Sequence, residues 1–475
     1  MNPKIILYTV GKTILLVGAI MLAPMFVAVY YGESIIEFVY TILIALLLGI
    51  AMLIIGGHRS DRLNVKDGYV IVTMSWVALS LIGALPFYIS GAIPSYVDAF
   101  FESVSGFTTT GASILTDVEA VGKGLLFWRS FTHWIGGMGV LVFIMALAEK
   151  NPSRSINLMK AEMPGSRVDK LTPKAKGTAK ILYYIYIAMT LIEIVLLLAG
   201  GMPLYDSIVH SLGTAGTGGF GIYGDSIGGY SAYLQYVIAI FMMLFGVNFG
   251  IYYLIIKGRW KSIFKSTELK WFLGIVGGAT AIIVIANQCI YSSLADNLRY
   301  AFFQVTSIIS TTGYSTTDFN AWPDISKAVL FILMFIGGCE GSTAGGLKVA
   351  RVMTMSHTVK NEMKHCLHPR MVSTVRIGGK NVSQETVSGI GSYITLYMIV
   401  GIAALLIISY DNMGFETNLS AVVACLNNIG PGFARVGPAA NFAVYSDISK
   451  VVLSITMLLG RLEIYPILLT VSRER

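Results

Sequence analysis

Apolar runs of about 20 residues, the length a helix needs to cross a bilayer, recur near positions 8–30, 37–57, 68–90, 124–148, 180–201, 232–256, 270–291, 326–348, 388–410 and 448–472. The pattern predicts ten long helices and an all-α polytopic membrane protein. A second full span follows the first at once, with no small-residue cleavage site between them, so residues 8–30 read as a retained helix rather than a signal peptide. Four segments break the rhythm: 91–123, 201–231, 292–325 and 411–447. Each holds an apolar stretch too short to span, then a turn of small residues, then a polar return to the next long helix. That order is expected of re-entrant loops.

The four turns are Thr109-Thr110-Gly111-Ala112-Ser113, Thr217-Gly218-Gly219-Phe220-Gly221, Thr311-Thr312-Gly313-Tyr314-Ser315 and Asn428-Ile429-Gly430-Pro431-Gly432. Spacings of 108, 94 and 117 residues between Gly111, Gly219, Gly313 and Gly430 match one helix, loop, helix module per repeat. The chain then divides into a two-helix preface over 1–62 and four pore repeats over 63–165, 166–262, 263–375 and 376–475. Irregular backbone at membrane depth is tolerated only where it is buried in protein or lines a wet cavity, so the four turns should meet around one axis as a pseudo-tetrameric pore. Glycine permits backbone geometries closed to other residues. Successive carbonyls can then point inward, and a ring of carbonyl oxygens replaces the hydration shell of a potassium ion without any side-chain ligand. One Gly-rich turn would be an ordinary tight turn; four in register are a filter candidate, made of Thr109, Thr110 and Gly111, Thr217, Gly218 and Gly219, Thr311, Thr312 and Gly313, and Asn428, Ile429 and Gly430.

Composition narrows the class. With 55% hydrophobic and 13% charged residues, the chain cannot clothe a soluble core of this size, where about 25% charged is usual, so soluble enzyme folds are excluded. The net charge of +8 from 34 basic and 26 acidic residues reports orientation rather than a nucleic-acid partner. Arg59, Arg62 and Lys66 lie in one connection, eight bases from Lys150 to Lys180 in another, five from Lys257 to Lys270 in a third and seven over 348–380 in a fourth. The opposite segments share only Lys123, Arg299 and Arg435. The positive-inside rule places both termini in the cytoplasm, and the same loops suit anionic membrane lipid. The outer segments hold twelve acids, among them Asp98, Glu102, Asp206, Asp296 and Glu416, which as a group would make a cation-attracting mouth and singly read as solvated loop carboxylates. Cys289, Cys339, Cys366 and Cys425 lack metal-ligand or disulfide spacing. No nucleotide-binding or zinc pattern is present, so no organic cofactor and no enzymatic step are expected, and potassium enters as substrate alone.

At this point the residues resemble the Trk/Ktr/HKT superfamily of potassium transporters, and the two extra N-terminal helices resemble its bacterial Trk-type membrane subunit. The resemblance covers nearly the whole chain. It rests on Ser105-Gly106-Phe107-Thr108-Thr109-Thr110-Gly111, on Arg129-Ser130-Phe131-Thr132-His133-Trp134-Ile135-Gly136-Gly137-Met138-Gly139, on the Gly-rich segment 337–348 and on Gly460-Arg461-Leu462-Glu463. It implies that the four glycines mark the selectivity filter of a single-chain pseudo-tetramer. Thr217-Gly218 and Asn428-Ile429 depart from the Thr-Thr that precedes glycine in the other repeats, which implies weaker selectivity than a fourfold-symmetric channel. The resemblance further implies a homodimer in the cytoplasmic (inner) membrane and a separate cytosolic nucleotide-binding regulatory subunit docked on the basic loops. The competing class is a sodium-coupled solute symporter with broken helices, which usually shows two repeats rather than four.

Two features lie below the filter candidate. Residues 337–346 hold five glycines, Gly337, Gly338, Gly341, Gly345 and Gly346, each costing about 1 kcal/mol in a helix, so the eighth span should break midway; close helix packing through small residues is the other reading. By resemblance, this segment up to Lys348 is the intramembrane loop that obstructs the cavity under the filter. Arg461 sits inside the last span, where it needs a polar environment unless it snorkels to the cytoplasmic end. The resemblance favours an Arg461 that faces the pore as part of the gate, with Glu340 and Glu463 as candidate countercharges. Arg129 and His133 are explained adequately by interfacial anchoring.

Overall fold

Among the residues described by the computed structural model, 2–57, 64–139, 175–263, 265–370, 374–377 and 380–471, six helices are long and apolar enough to cross a membrane: Pro3–Tyr31, Ile36–Gly56, Lys66–Ile89, Ala179–Ala199, Thr267–Ala286 and Gln384–Asp411. The first is interrupted at Met21, because Pro24 has no N–H to give the carbonyl of Ile20. The architecture is all-α: two N-terminal helices followed by four helix, pore loop, helix repeats. Its only ladder among the described residues pairs Arg376–Ile377 with Lys380–Asn381.

Ten long helices were expected, and the shortfall falls on the second helix of every repeat. Lys123–Gly137, Ala232–Phe245, Asp324–Phe335 and Asp447–Arg461 run for only 15, 14, 12 and 15 residues, too few to span. The first ends at Gly137, with Gly139 left-handed behind it; residues 140–148 of the expected 124–148 helix lie outside the described residues. The second bends by 94° into Phe249–Ile256. The third gives way to a loop over 336–348, and the fourth breaks at Glu463 and Ile464, both left-handed, before Tyr465–Val471. Only the third break was expected. The others were hidden because apolar residues continue on both sides of a glycine that a run of hydrophobicity does not register.

Four shorter helices, Tyr96–Phe107, Leu204–Gly216, Leu294–Ile309 and Phe415–Leu426, dip in from the opposite side. Each carries an acid in its first turn, Asp98, Asp206, Asp296 and Glu416, which suits the positive end of the helix dipole. Ser95 and Ser293 cap two of them by accepting from the N–H groups of Asp98 and Asp296. Their C-terminal ends run directly into the four Gly-containing turns. One core cluster joins the preface to repeats one and four through Phe38, Trp76, Phe107, Trp128 and Met457, and a second joins repeats three and four through Val305, Leu333, Ile429 and Phe433. A third packs repeat two against Phe303 and Tyr314 of repeat three. The turns thus lie where the cores of successive repeats meet.

Candidate functional site

The four turns share one backbone. Two residues before each glycine, Thr109, Thr217, Thr311 and Asn428 are left-handed with φ of 56°, 54°, 57° and 56°, and Gly111, Gly219, Gly313 and Gly430 have φ of 78°, 76°, 85° and 100°. The residue between them, Thr110, Gly218, Thr312 or Ile429, is not left-handed. Such alternation turns successive peptide planes so that carbonyls face the same way. The turns also close on one another. A Cβ on Gly111 would collide with the carbonyl of Gly218, one on Gly219 with that of Thr312, one on Gly313 with that of Ile429, and one on Gly430 would lie 2.6 Å from that of Thr110. Each glycine therefore faces the next repeat's carbonyl, and the fourth returns to the first.

The threonines are fully buried and hold the turns from behind. Thr108 and Thr110 hydroxyls lie 2.8 Å apart in repeat one and Ser310 and Thr312 2.7 Å apart in repeat three. Asn428 donates to Thr110 Oγ1 and to the carbonyl of Met457, both at 3.0 Å. Above the ring, a cavity of about 140 Å³ is lined by all four glycines. The C-terminal ends of four helices converge on the ring with the negative ends of their dipoles, a field that favours a cation.

Below the ring sits the loop of residues 336–348. Its base is closed by the Gly337 N–H to the Leu347 carbonyl at 2.8 Å, and its tip touches the ring itself, where Gly345 N–H donates to Thr311 Oγ1 at 2.7 Å. The break of repeat two holds its side: Cys339 N–H donates to the Gly246 carbonyl at 2.8 Å and Thr343 Oγ1 to that of Phe245 at 3.2 Å. Arg461 donates to the carbonyls of Thr343 at 2.9 Å, Gly136 at 2.5 Å and Gly137 at 2.8 Å, tying the loop to the break of repeat one. Gly341, Gly345, Gly346, Lys348 and Arg461 line one cavity of about 110 Å³; Lys348 donates to the Ala344 carbonyl. Glu463, a candidate countercharge to Arg461, pairs with Arg351 while lining the same cavity. Glu340 donates its backbone N–H to Glu268 Oε1 at 2.7 Å.

Three expectations need correction. Arg129 and His133 are not interfacial anchors: Arg129 is 4% exposed and His133 fully buried, both behind the ring. Arg129 Nε lies 2.5 Å from Glu102 Oε1, so Glu102 is a buried structural carboxylate rather than part of an open acidic mouth. Asp98 is likewise engaged, by Lys450 at 2.6 Å, and Asp206 accepts from the Tyr230 hydroxyl at 2.9 Å. Burial and that bond hold the Tyr230 phenol above its ordinary ionisation range. The signal available in sequence was an arginine in the middle of an apolar helix, a costly placement that demands a partner. Of the eight bases from Lys150 to Lys180, the first six lie outside the described residues, Lys176 is described in its helical backbone alone, and Lys180 is exposed.

Fold and site define a multi-pass membrane protein with four pore-loop repeats arranged around one axis. Residues 34–474 match the TrkH family, described as cation transport proteins, and the chain belongs to that family; it is a transport protein and not an enzyme. It is 34% identical over 479 residues to the Trk system potassium uptake protein TrkG of Escherichia coli K12, covering 99% of this chain and 98% of that one. The Trk system potassium uptake protein TrkH of Salmonella typhimurium LT2 is 34% identical over 475 residues, with 98% of each covered. The crystal structure of the potassium transporter TrkH from Vibrio parahaemolyticus superposes with a TM-score of 0.90 at 32% identity and 99% coverage of both chains.

Proposed function

We propose that this protein takes up potassium across the cytoplasmic membrane through the ring of four turns, acting as a carbonyl-lined selectivity filter. The closed cycle in which each left-handed glycine meets the next repeat's carbonyl carries the reading, since such a ring can stand in for a hydration shell. That the relatives are potassium uptake proteins supports the choice of ion. Residues 336–348, with Gly337, Gly338, Gly341, Gly345, Gly346 and Lys348, together with Arg461 form the gate, because they fill the space under the ring and hydrogen-bond to it. The basic face is cytoplasmic and both termini lie on it. A homodimer, and a cytosolic nucleotide-binding Trk-type regulatory subunit docked on the basic loops, complete the assembly. The repeats run over 63–165, 166–262, 263–375 and 376–475. Sodium-coupled symport with broken helices fits less well, because those folds place substrate between two inverted repeats and here four repeats enclose one ring.

The test is the reversal potential of the purified protein in planar bilayers under potassium, sodium and pH gradients. Gly111→Ser should lower the potassium-to-sodium permeability ratio by about tenfold, the equivalent of the roughly 1–2 kcal/mol that left-handed backbone costs a residue with a Cβ. An unchanged ratio in a well-assembled variant would sink the filter assignment, and a reversal potential that follows a sodium or proton gradient in the absence of potassium would favour coupled symport.

A further inference from the structure

The four quadrants of the ring are not supported alike. Three and one places before the glycine, repeat one has the Thr108 and Thr110 pair and repeat three the Ser310 and Thr312 pair, while repeat four uses Asn428. Repeat two has Gly216 and Gly218 at those places and so lacks such a pair; its Thr217 Oγ1 reaches only the adjacent Gly216 carbonyl, at 2.7 Å. A Cβ at Gly218 would collide with the His133 ring, so the glycine is what lets repeat one press against this turn.

Support arrives instead from both neighbours. From repeat one, Arg129 Nη1 donates to the Gly221 carbonyl at 2.9 Å, and its guanidinium carbon stands 3.6 Å from the centre of the Phe220 ring. Glu102 fixes that arginine at 2.5 Å and also accepts from Ser113 Oγ at 3.1 Å and Ile114 N–H at 2.8 Å, so the same pair fastens the return segment of quadrant one. His133 packs against the same ring, its centre 4.2 Å from that of Phe220 with the planes tilted by 33°, and its Nδ1 lies 2.8 Å from the Gly106 carbonyl. From repeat three, the Tyr314 hydroxyl, on a side chain 1% exposed, is shared between the carbonyls of His210 and Phe220, each at 3.2 Å.

We propose that quadrant two of the filter is braced from outside by Arg129 and Tyr314, and that these positioning residues set the discrimination between potassium and sodium. The inference rests on the ring being the filter. A carbonyl ring discriminates between ions through the spacing and stiffness of its oxygens, and the least self-supported quadrant is where a lost brace relaxes that spacing most. Neither residue offers an atom to the ion; each acts through the carbonyl it holds or the backbone next to it.

The experiment measures permeability ratios of the full-length protein in planar bilayers for Tyr314→Phe, which removes a single oxygen, and Arg129→Lys, which keeps a charge for Glu102 but loses the planar fork and the stack on Phe220. Tyr314→Phe should lower the potassium-to-sodium ratio about threefold, the order expected for one lost hydrogen bond, and Arg129→Lys by about tenfold. Gly219→Ser, which alters quadrant two directly, is the reference. If Gly219→Ser lowers the ratio while Tyr314→Phe or Arg129→Lys leaves it at the parent value, that brace is overturned and the filter stands. If Gly219→Ser also leaves it unchanged, the filter reading itself falls. Loss of yield or melting temperature with an intact ratio would mark the two residues as merely structural and overturn the proposal.

Discussion

Arg129 and Arg461 both stand at membrane depth, where an arginine costs about 2.5–3.5 kcal/mol on insertion scales, and their surroundings give them different consequences. Arg129 is held by a carboxylate with no exposed surface, so removing one partner leaves the other charged and buried. Glu102→Ala should cost about 3–5 kcal/mol of stability, read as a lower melting temperature in detergent. Glu102→Met with Arg129→Met should recover much of that loss without recovering selectivity, because Gly221 then lacks its donor; a double variant as unstable as the single would remove the ion pair from the account. Arg461 is bound to carbonyls on two different elements and acts as a tether. Arg461→Ala should free the loop and raise basal potassium efflux from proteoliposomes by about tenfold, the scale of a lost charge-assisted bond. Flux that is unaltered or reduced in a folded variant would be the behaviour of an arginine that merely snorkels.

The turns were legible in the sequence because glycine is the residue for which left-handed φ carries no steric cost, and four glycines at the same place betray the geometry. The left-handed threonines before them were not, since β-branched residues avoid that region. Thr109, Thr217 and Thr311 adopt it only because neighbouring repeats over-determine their backbone, a tertiary cause invisible to local propensity. Of the four interruptions of the second helices one was legible: five glycines announced the loop of repeat three, whereas Gly460 acts by permitting close approach. A Cβ at Gly460 would collide with the Leu426 carbonyl at the end of the fourth pore helix, a contact between segments that no periodicity reveals. Because the loop bonds to Thr311 above and to Arg461 beside it, shortening residues 337–346 should also raise basal flux. If loop and arginine act on one barrier, the combined variant should gain less than the product of the single gains; a full product would assign them to separate barriers.

Across the whole molecule, the break level of the four repeats divides two electrostatic faces. On the pore-helix side the acids are drawn into caps and pairs, as Asp98 with Lys450 and Glu102 with Arg129, so less negative charge remains to attract cations than the twelve carboxylates suggested. On the opposite side Lys257, Lys261, Lys360 and Lys364 are all exposed, the last two on Val349–Leu367, the helix that continues directly from the loop under the ring. A partner that bound this helix would therefore pull on the loop, giving a mechanical route from docking to gating. Exposed charges attract a partner over roughly a Debye length, about 8–10 Å at physiological salt, which makes capture salt-dependent. Changing Lys257, Lys261, Lys360 and Lys364 to glutamine should thus weaken pull-down of an acidic-faced cytosolic regulatory subunit and flatten the dependence of capture on salt. The potassium-to-sodium ratio should stay at the parent value, because these residues lie on the far side of the loop from the ring. Equal retention of the subunit by parent and variant across a salt series would show that docking uses other contacts and that this face carries no signal to the gate.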